Sequence, residues 1–293
     1  MRRVVVRRAA VLGCLASMCG CGPVDGLILP PLVDKPSEEL PGKFVWHNLI
    51  TTEPESARTF YGSLFGWEFD AIGDGAYTEV TYGGRSIGGI VNAATWKNKP
   101  RSAVWLSAVS TPDIGGAVAT AKAAGARQLV NIMDIFDVGR IAVLTDPEGA
   151  VFQVLEAKRG DPPDVPPPVH SWLWHELIAE DTEAAAKFYQ AVFGYRIEIH
   201  EVDGDATYRV LARDDAPRAG ILENPFEDTR SAWIPYIRVE DPAALLPVVT
   251  LLGGRVVVAP SPSLRGGTVA LILDPSGAPL ALQKWSPDEG GAS

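Results

Sequence analysis

Phe44 to Ile50 (FVWHNLI) and Ser171 to Ile178 (SWLWHELI) are short, mostly apolar runs rich in aromatic and branched residues, each broken by one polar pair. That length and composition predict a strand in each case. A helical period follows. In TTEPESARTFYGSLFG, the residues Phe60, Tyr61, Leu64 and Phe65 recur at helical spacing and Gly66 ends the run; AEDTEAAAKFYQAVFG repeats the pattern. Both read as helices with acidic, small-residue starts. Short strands with glycine turns are expected over 67–91 and 195–222. A second strand and helix follow in AVWLSAVSTPDIGGAVATAKAAGA and in AWIPYIRVEDPAALLPVVTLLGG. Each half closes with strands flanking an Asp-Pro-x-Gly turn, in IAVLTDPEGAVFQVLEA and VALILDPSGAPLALQKW.

The two halves are copies. Trp46-His47 recurs as Trp174-His175, Phe60-Tyr61 as Phe188-Tyr189, and Phe65-Gly66 as Phe193-Gly194. Trp105 recurs as Trp233, Gly125 as Gly253, and Asp146-Pro147 with Gly149 as Asp274-Pro275 with Gly277, every pair at the same offset along the chain. Coincidence of rare tryptophans at one offset marks a tandem duplication. Two modules are therefore expected, at 44–157 and 170–286, joined by a proline-rich linker at 158–169 and followed by a tail at 287–293. Each module contains two β-α-β-β-β units, so the fold class is α+β.

Composition changes the picture only at the N-terminus. The chain has 293 residues, 46% hydrophobic and 21% charged, with a net charge of −10. That supports ordinary packed cores and excludes nucleic-acid binding, which needs a basic face. Arg2, Arg3, Arg7 and Arg8 precede a short apolar run from Ala9 to Met18, and Cys19-Gly20-Cys21 follows. This is the layout of an export signal, too short in its apolar part to span a bilayer. It resembles a bacterial lipoprotein signal over 1–20 with Cys21 as the acylated residue, because small Gly20 precedes it. Residues 21–43 then read as a tether, and the address is the cell envelope, anchored to membrane by lipid. All three cysteines (Cys14, Cys19 and Cys21) lie in this leader, so the body has no thiol for a disulfide, a metal or a nucleophile.

The combination of Trp-x-x-Leu, Phe-Tyr ahead of Phe-Gly, and the Asp-Pro-x-Gly closure resembles the vicinal oxygen chelate superfamily, the glyoxalase, bleomycin-resistance and extradiol-dioxygenase group. It covers nearly all of both modules, and within the superfamily the chain is most similar to the tandem-module branch. The resemblance implies a curved, cup-like sheet from paired β-α-β-β-β units with helices outside. The two modules are expected to pack as an intramolecular pseudo-dimer. Its enzymes hold one divalent metal through a His on the first strand and a Glu on the last. Counted from the family motifs, those positions fall here on Trp46 and Trp174, and on Gln153 and Ala281.

His47 and His175 sit one place from the family's histidine position. Strand alternation turns them to the opposite face, beside Val45 and Leu49 or Leu173 and Leu177. They are expected to be core residues, and no metal or other cofactor is expected. The cup-facing side of the first strands then carries Trp46 and Asn48 in one module, Trp174 and Glu176 in the other. Trp105 and Trp233 are further wall candidates, with core filling as the alternative. Glu176 is the one acid in the set and the candidate general base. The leading reading is a lipid-anchored protein binding a small organic molecule in aromatic cups. The alternatives are a metal-dependent lyase or dioxygenase and a structural envelope protein.

Overall fold

A computed structural model describes residues 29–202, 206–226 and 229–286. Cys21, the signal over 1–20 and the tail at 287–293 lie outside the described residues. The α+β expectation holds. The first module runs β1 (Phe44–Thr51), α1 (Pro54–Phe65), β2 (Glu68–Ile72), β3 (Tyr77–Tyr82), β4 (Arg85–Asn92), β5 (Val104–Ser110), α2 (Ile114–Ala123), β6 (Arg127–Ile135), β7 (Gly139–Thr145) and β8 (Val151–Ala157). The second repeats the order with β9 (Trp172–Ala179), α3 (Thr182–Phe193), β10 (Arg196–Val202), β11 (Ala206–Arg213), β12 (Ala216–Glu223), β13 (Ala232–Val239), α4 (Pro242–Leu251), β14 (Arg255–Val258), β15 (Val269–Leu273) and β16 (Pro279–Lys284). Each module forms one eight-stranded sheet, in the orders β2-β3-β4-β1-β5-β8-β7-β6 and β10-β11-β12-β9-β13-β16-β15-β14.

Local chemistry sets the helix ends. Asp181 caps α3 by accepting from the N–H groups of Glu183 and Ala184, and Asp113 caps α2 through Gly116. Gly66 and Gly194 end α1 and α3 in the left-handed region, with φ of 70° and 69°. Glycine enters that region without the clash a side chain meets.

The compact units do not follow the duplication. One unit contains the residues up to Trp46, Leu106–Pro163 and His175–Trp233; the other contains His47–Trp105, Asp164–Trp174 and the residues from Ile234 onward. Each therefore takes half its core from each module. In the first, Leu144 and Phe152 pack with Leu177, Phe188, Tyr189, Phe193 and Trp233. In the second, Leu49, Phe60, Tyr61, Phe65 and Trp105 pack with Ile237, Val249 and Leu280. Packing here is close enough that a Cβ on Gly254 would lie 2.8 Å from the Phe60 ring.

The stretch read as a tether is docked over its second part. Leu32 is buried with Trp46, Ala108, Val138 and Leu155, and Leu29 packs on the same cluster. Beyond it, the Ser37 N–H donates to Arg159 O at 2.8 Å and the Leu40 N–H to Asp161 Oδ2 at 2.7 Å. Two leucines and a set of backbone donors give this segment something to bury and somewhere to bond. What remains of the tether reading falls on residues before 29.

Candidate functional site

The most conspicuous repeated motifs meet in the helix-packed cores. In one unit Trp105 Nε1 donates to Tyr61 Oη at 2.9 Å, and Tyr61 Oη donates to Asp274 Oδ2 at 3.0 Å. Asp274 Oδ1 accepts from the N–H groups of Ser276 and Ala278 and so holds the Asp-Pro-x-Gly turn. The other unit repeats this with Trp233, Tyr189 and Asp146, at 2.8 and 3.1 Å. Burial pushes both tyrosines well above their ordinary range, and the neighbouring aspartate adds to it. Burial likewise raises Asp146 to about 6 and raises Asp274. These relays are structural: every polar group in them is consumed by the next. Trp105 and Trp233, named above as wall candidates, belong to them and not to the face that carries Asn48 and Glu176. The core-filling alternative is the one realised, because residues 105 and 233 share strand parity with the helix-facing Val109 and Ile237.

The histidines lie on the same side. His175 is buried, and its ring stacks on Phe44 with centroids 4.0 Å apart and planes 7° apart. Burial lowers its pKa to about 3. His47 packs against Trp172 at 4.1 Å. Phe44 and Trp172 are themselves equivalent positions of the two modules, at the offset the other repeated pairs share, so the two ring pairs involve the same positions, one stacked and the other tilted by 37°.

The opposite face, free of helices, carries the remaining candidates. Tyr77 on β3 reaches across β4 and donates to Asn48 Oδ1 on β1 at 3.2 Å. It passes directly over Gly89, the residue paired with Asn48, where a Cβ would lie 1.9 Å from the hydroxyl. The second module builds the same arrangement. Tyr208 on β11 donates to Glu176 Oε1 on β9 at 2.7 Å, over Gly220, where a Cβ would again lie 1.9 Å from the hydroxyl. Only glycine leaves room for this crossing. Gly220→Ala should cost about 1–3 kcal/mol through this clash, read as a shift in the urea midpoint. Adding Tyr208→Ala should recover part of that loss, as coupling in a double-mutant cycle; a single variant as stable as the wild type would contradict the crossing.

Glu176 is 2% exposed, so its carboxylate is committed to partners within the protein or to a ligand. Trp46 is buried in the cluster with Leu32, Ala108 and Leu155, and Trp174 is half-buried. The structure thus joins Asn48 and Glu176 to tyrosines that the constant offset of the repeat does not reach. Tyr77 and Tyr208 stand slightly further apart than the other repeated pairs, because the second module's hairpin is longer. Gly89-Ile90 and Gly220-Ile221 match at that same larger separation, and this was the available signal.

The superfamily's metal does not fit these residues. At its ligand positions stand Trp46 and Trp174, whose indoles offer no lone pair, together with Gln153 and Ala281, while both histidines face aromatic cores. Among the described residues no three His, Cys, Asp or Glu side chains are grouped to hold a metal. A cavity of about 400 Å³ is lined by Glu180, Glu223, Asn224, Phe226, Thr229 and Arg230; neither Glu176 nor Tyr208 lines it.

Comparison with known proteins agrees with the architecture. The family described as Glyoxalase/Bleomycin resistance protein/Dioxygenase superfamily matches residues 43–154 and 173–282. "Putative glyoxylase CFP32" of Mycobacterium tuberculosis is 29% identical over 259 residues, covering 87% of this chain and 99% of the relative. Anthracycline biosynthesis protein DnrV of Streptomyces peucetius is 28% identical over 272 residues, covering 86% and 98%. Among solved structures, a Mn(II)-bound glyoxalase from Novosphingobium aromaticivorans aligns with a TM-score of 0.58 at 14% identity, covering 83% of this chain and 82% of the other. A variant of homoprotocatechuate 2,3-dioxygenase from B. fuscum gives 0.59 at 13% identity, covering 87% and 74%. At such identity the structures speak for the fold alone.

Proposed function

The chain belongs to the Glyoxalase/Bleomycin resistance protein/Dioxygenase superfamily, and on that premise we propose that it is a lipid-anchored, extracytoplasmic protein that binds a small organic molecule without a catalytic metal. One observation carries the reading: the duplicated tyrosine-over-glycine crossing, which presents Asn48 in one module and Glu176 in the other on the face away from the helices. A few polar groups fixed in place among apolar and aromatic side chains are what orient a small ligand. The residues at the ligand positions support the metal-free form, since tryptophan and alanine stand where ligands would be required. The names of the relatives, a glyoxylase and anthracycline biosynthesis proteins, concern small organic molecules as well.

The module difference has a consequence. Asn48 and Glu176 occupy equivalent places, so Glu176→Gln makes the modules alike in charge at this point. Tryptophan fluorescence titrated across a metabolite panel should find a quenching ligand, and Glu176→Gln should weaken it by about tenfold or more, the loss of one charge-assisted bond. A panel without any response, or stoichiometric Fe, Ni, Zn or Mn in chelator-free protein, would count against the reading. The address has its own test. Cells fed a clickable fatty acid should label the wild-type protein and not Cys21→Ser; label retained in the variant would overturn Cys21 as the acylated residue, and an unlabelled wild type would overturn the anchor. Two chains would make anchoring stable, at about 0.8 kcal/mol per buried CH₂.

A further inference from the structure

The duplication permits a comparison position by position. On the helix-free face of the first module, Ala108, Leu155 and Leu32 close around Trp46 and leave an apolar surface that the chain's own N-terminal segment covers. Nearby, Asp137 adopts a positive φ of 63° and pairs with Lys158 at 3.1 Å and Arg159 at 3.6 Å. At the equivalent positions of the second module, Ala108 becomes Tyr236, Leu155 becomes Gln283 and Asp137 becomes Arg265. All three lie in one compact unit. The three exchanges act together. Arg265 Cζ stands 5.8 Å from the centre of the Tyr236 ring, and its Nη1 is 3.5 Å from Gln283 Oε1.

The backbone is shaped to deliver that guanidinium. Arg265 has φ of 46°, and Gly266 and Gly267 follow at 62° and 83°. A left-handed conformation brings a non-glycine Cβ against the following carbonyl oxygen, so it persists only where the surroundings enforce it. Thr268 supplies one restraint, donating its hydroxyl to Arg265 O at 2.7 Å. Tyr236 backs the guanidinium with the face of its ring, and Gln283 braces one end.

We infer that Arg265, oriented by Tyr236 and Gln283, is the element of the second module that reads the carboxylate of an organic acid, and that the first module lacks this function. The proposal rests on the small-molecule reading above and adds the class of ligand. Arginine's planar fork matches a carboxylate in geometry as well as charge. A protein of net charge −10 repels anions at long range, so an anionic ligand needs a fixed local cation to be selected.

The probe pair is 2-naphthoate and its neutral isostere 2-naphthamide, titrated calorimetrically against the full chain. The acid should bind about tenfold tighter than the amide or better, Arg265→Gln should bring the two within about twofold, and Arg265→Lys should fall between. Lys158→Gln removes a like charge beside Asp137, just beyond the end of the first module, and should leave the ratio unchanged. Equal binding of acid and amide to the wild type would overturn the assignment while leaving small-molecule binding intact. An undiminished ratio in Arg265→Gln, an equal loss in Lys158→Gln, or no saturable binding of the acid would overturn it too. Circular dichroism and the urea midpoint of Arg265→Lys guard against a folding defect.

Discussion

The first module expressed alone, residues 44–157, should not give a folded monomer. Its Tyr61 donates to Asp274 and its Asp146 accepts from Tyr189, both in the other module. Separation would leave a buried donor and a buried acceptor unpaired, at about 1–3 kcal/mol each. It would also strip the partners from Phe152 in one core and from Phe60 and Trp105 in the other. Burying large side chains of this kind contributes roughly 1.5–3 kcal/mol apiece, so the loss is comparable to the roughly 5–15 kcal/mol typical of a whole domain's stability. The duplication offers one escape. Asp146 is the equivalent of Asp274, so two copies of the fragment can satisfy each other, Tyr61 of one bonding Asp146 of the other. Size-exclusion chromatography with light scattering and near-UV circular dichroism should therefore find either aggregate or a dimer. A monomer with the native near-UV spectrum would refute the exchange of cores.

Acid should reveal a pair of opposing buried groups. Asp146 has its pKa raised by burial from an ordinary 3.8 to about 6. A raised folded-state pKa contributes stability that is fully present below about 3.8 and lost as pH rises through 6. His175 is lowered by burial from 6.5 to about 3. Its contribution is present above 6.5 and lost as pH falls, because the unfolded chain takes up a proton that the folded chain refuses. Between about pH 4 and 6 the two slopes, each at most about 1.4 kcal/mol per unit, largely cancel. His175→Phe, which keeps the stack on Phe44, should unmask the aspartate and gain about 2 kcal/mol relative to wild type on going from about pH 6 to 4. Asp146→Asn should lose stability over the same interval. Urea denaturation at several pH values checks both, and parallel curves for all three proteins would show that neither group titrates as buried.

Much of this architecture is legible in the chain. The apolar neighbours two places away, Val45 and Leu49 beside His47 and Leu173 and Leu177 beside His175, are enough to turn the histidines away from Asn48 and Glu176, since strand alternation is a local property. The helix runs at Phe60 and Phe188 and the Asp-Pro-x-Gly turns are equally local, and each formed where expected. Trp105 and Trp233 were harder, because an indole serves a core and a binding wall equally well. Their hydrogen bonds to Tyr61 and Tyr189 decide for the core.

What the sequence by itself determined is the number of modules, the elements within each and the faces of the two first strands, because patterning and turn chemistry act over a few residues. Only the tertiary structure decided which copy serves which. Phe-Tyr and Asp-Pro-x-Gly occur once in each module, so pairing Tyr61 with Asp146 or with Asp274 satisfies the same local rules. Choosing Asp274 is a matter of which helices and strands share a core. The same holds for Leu32, whose apolar side chain says that it is buried but not beside Trp46, and for Arg265, Tyr236 and Gln283, which are distant in sequence and meet only because β13 pairs with β16 and the strained turn before β15 carries the arginine over them.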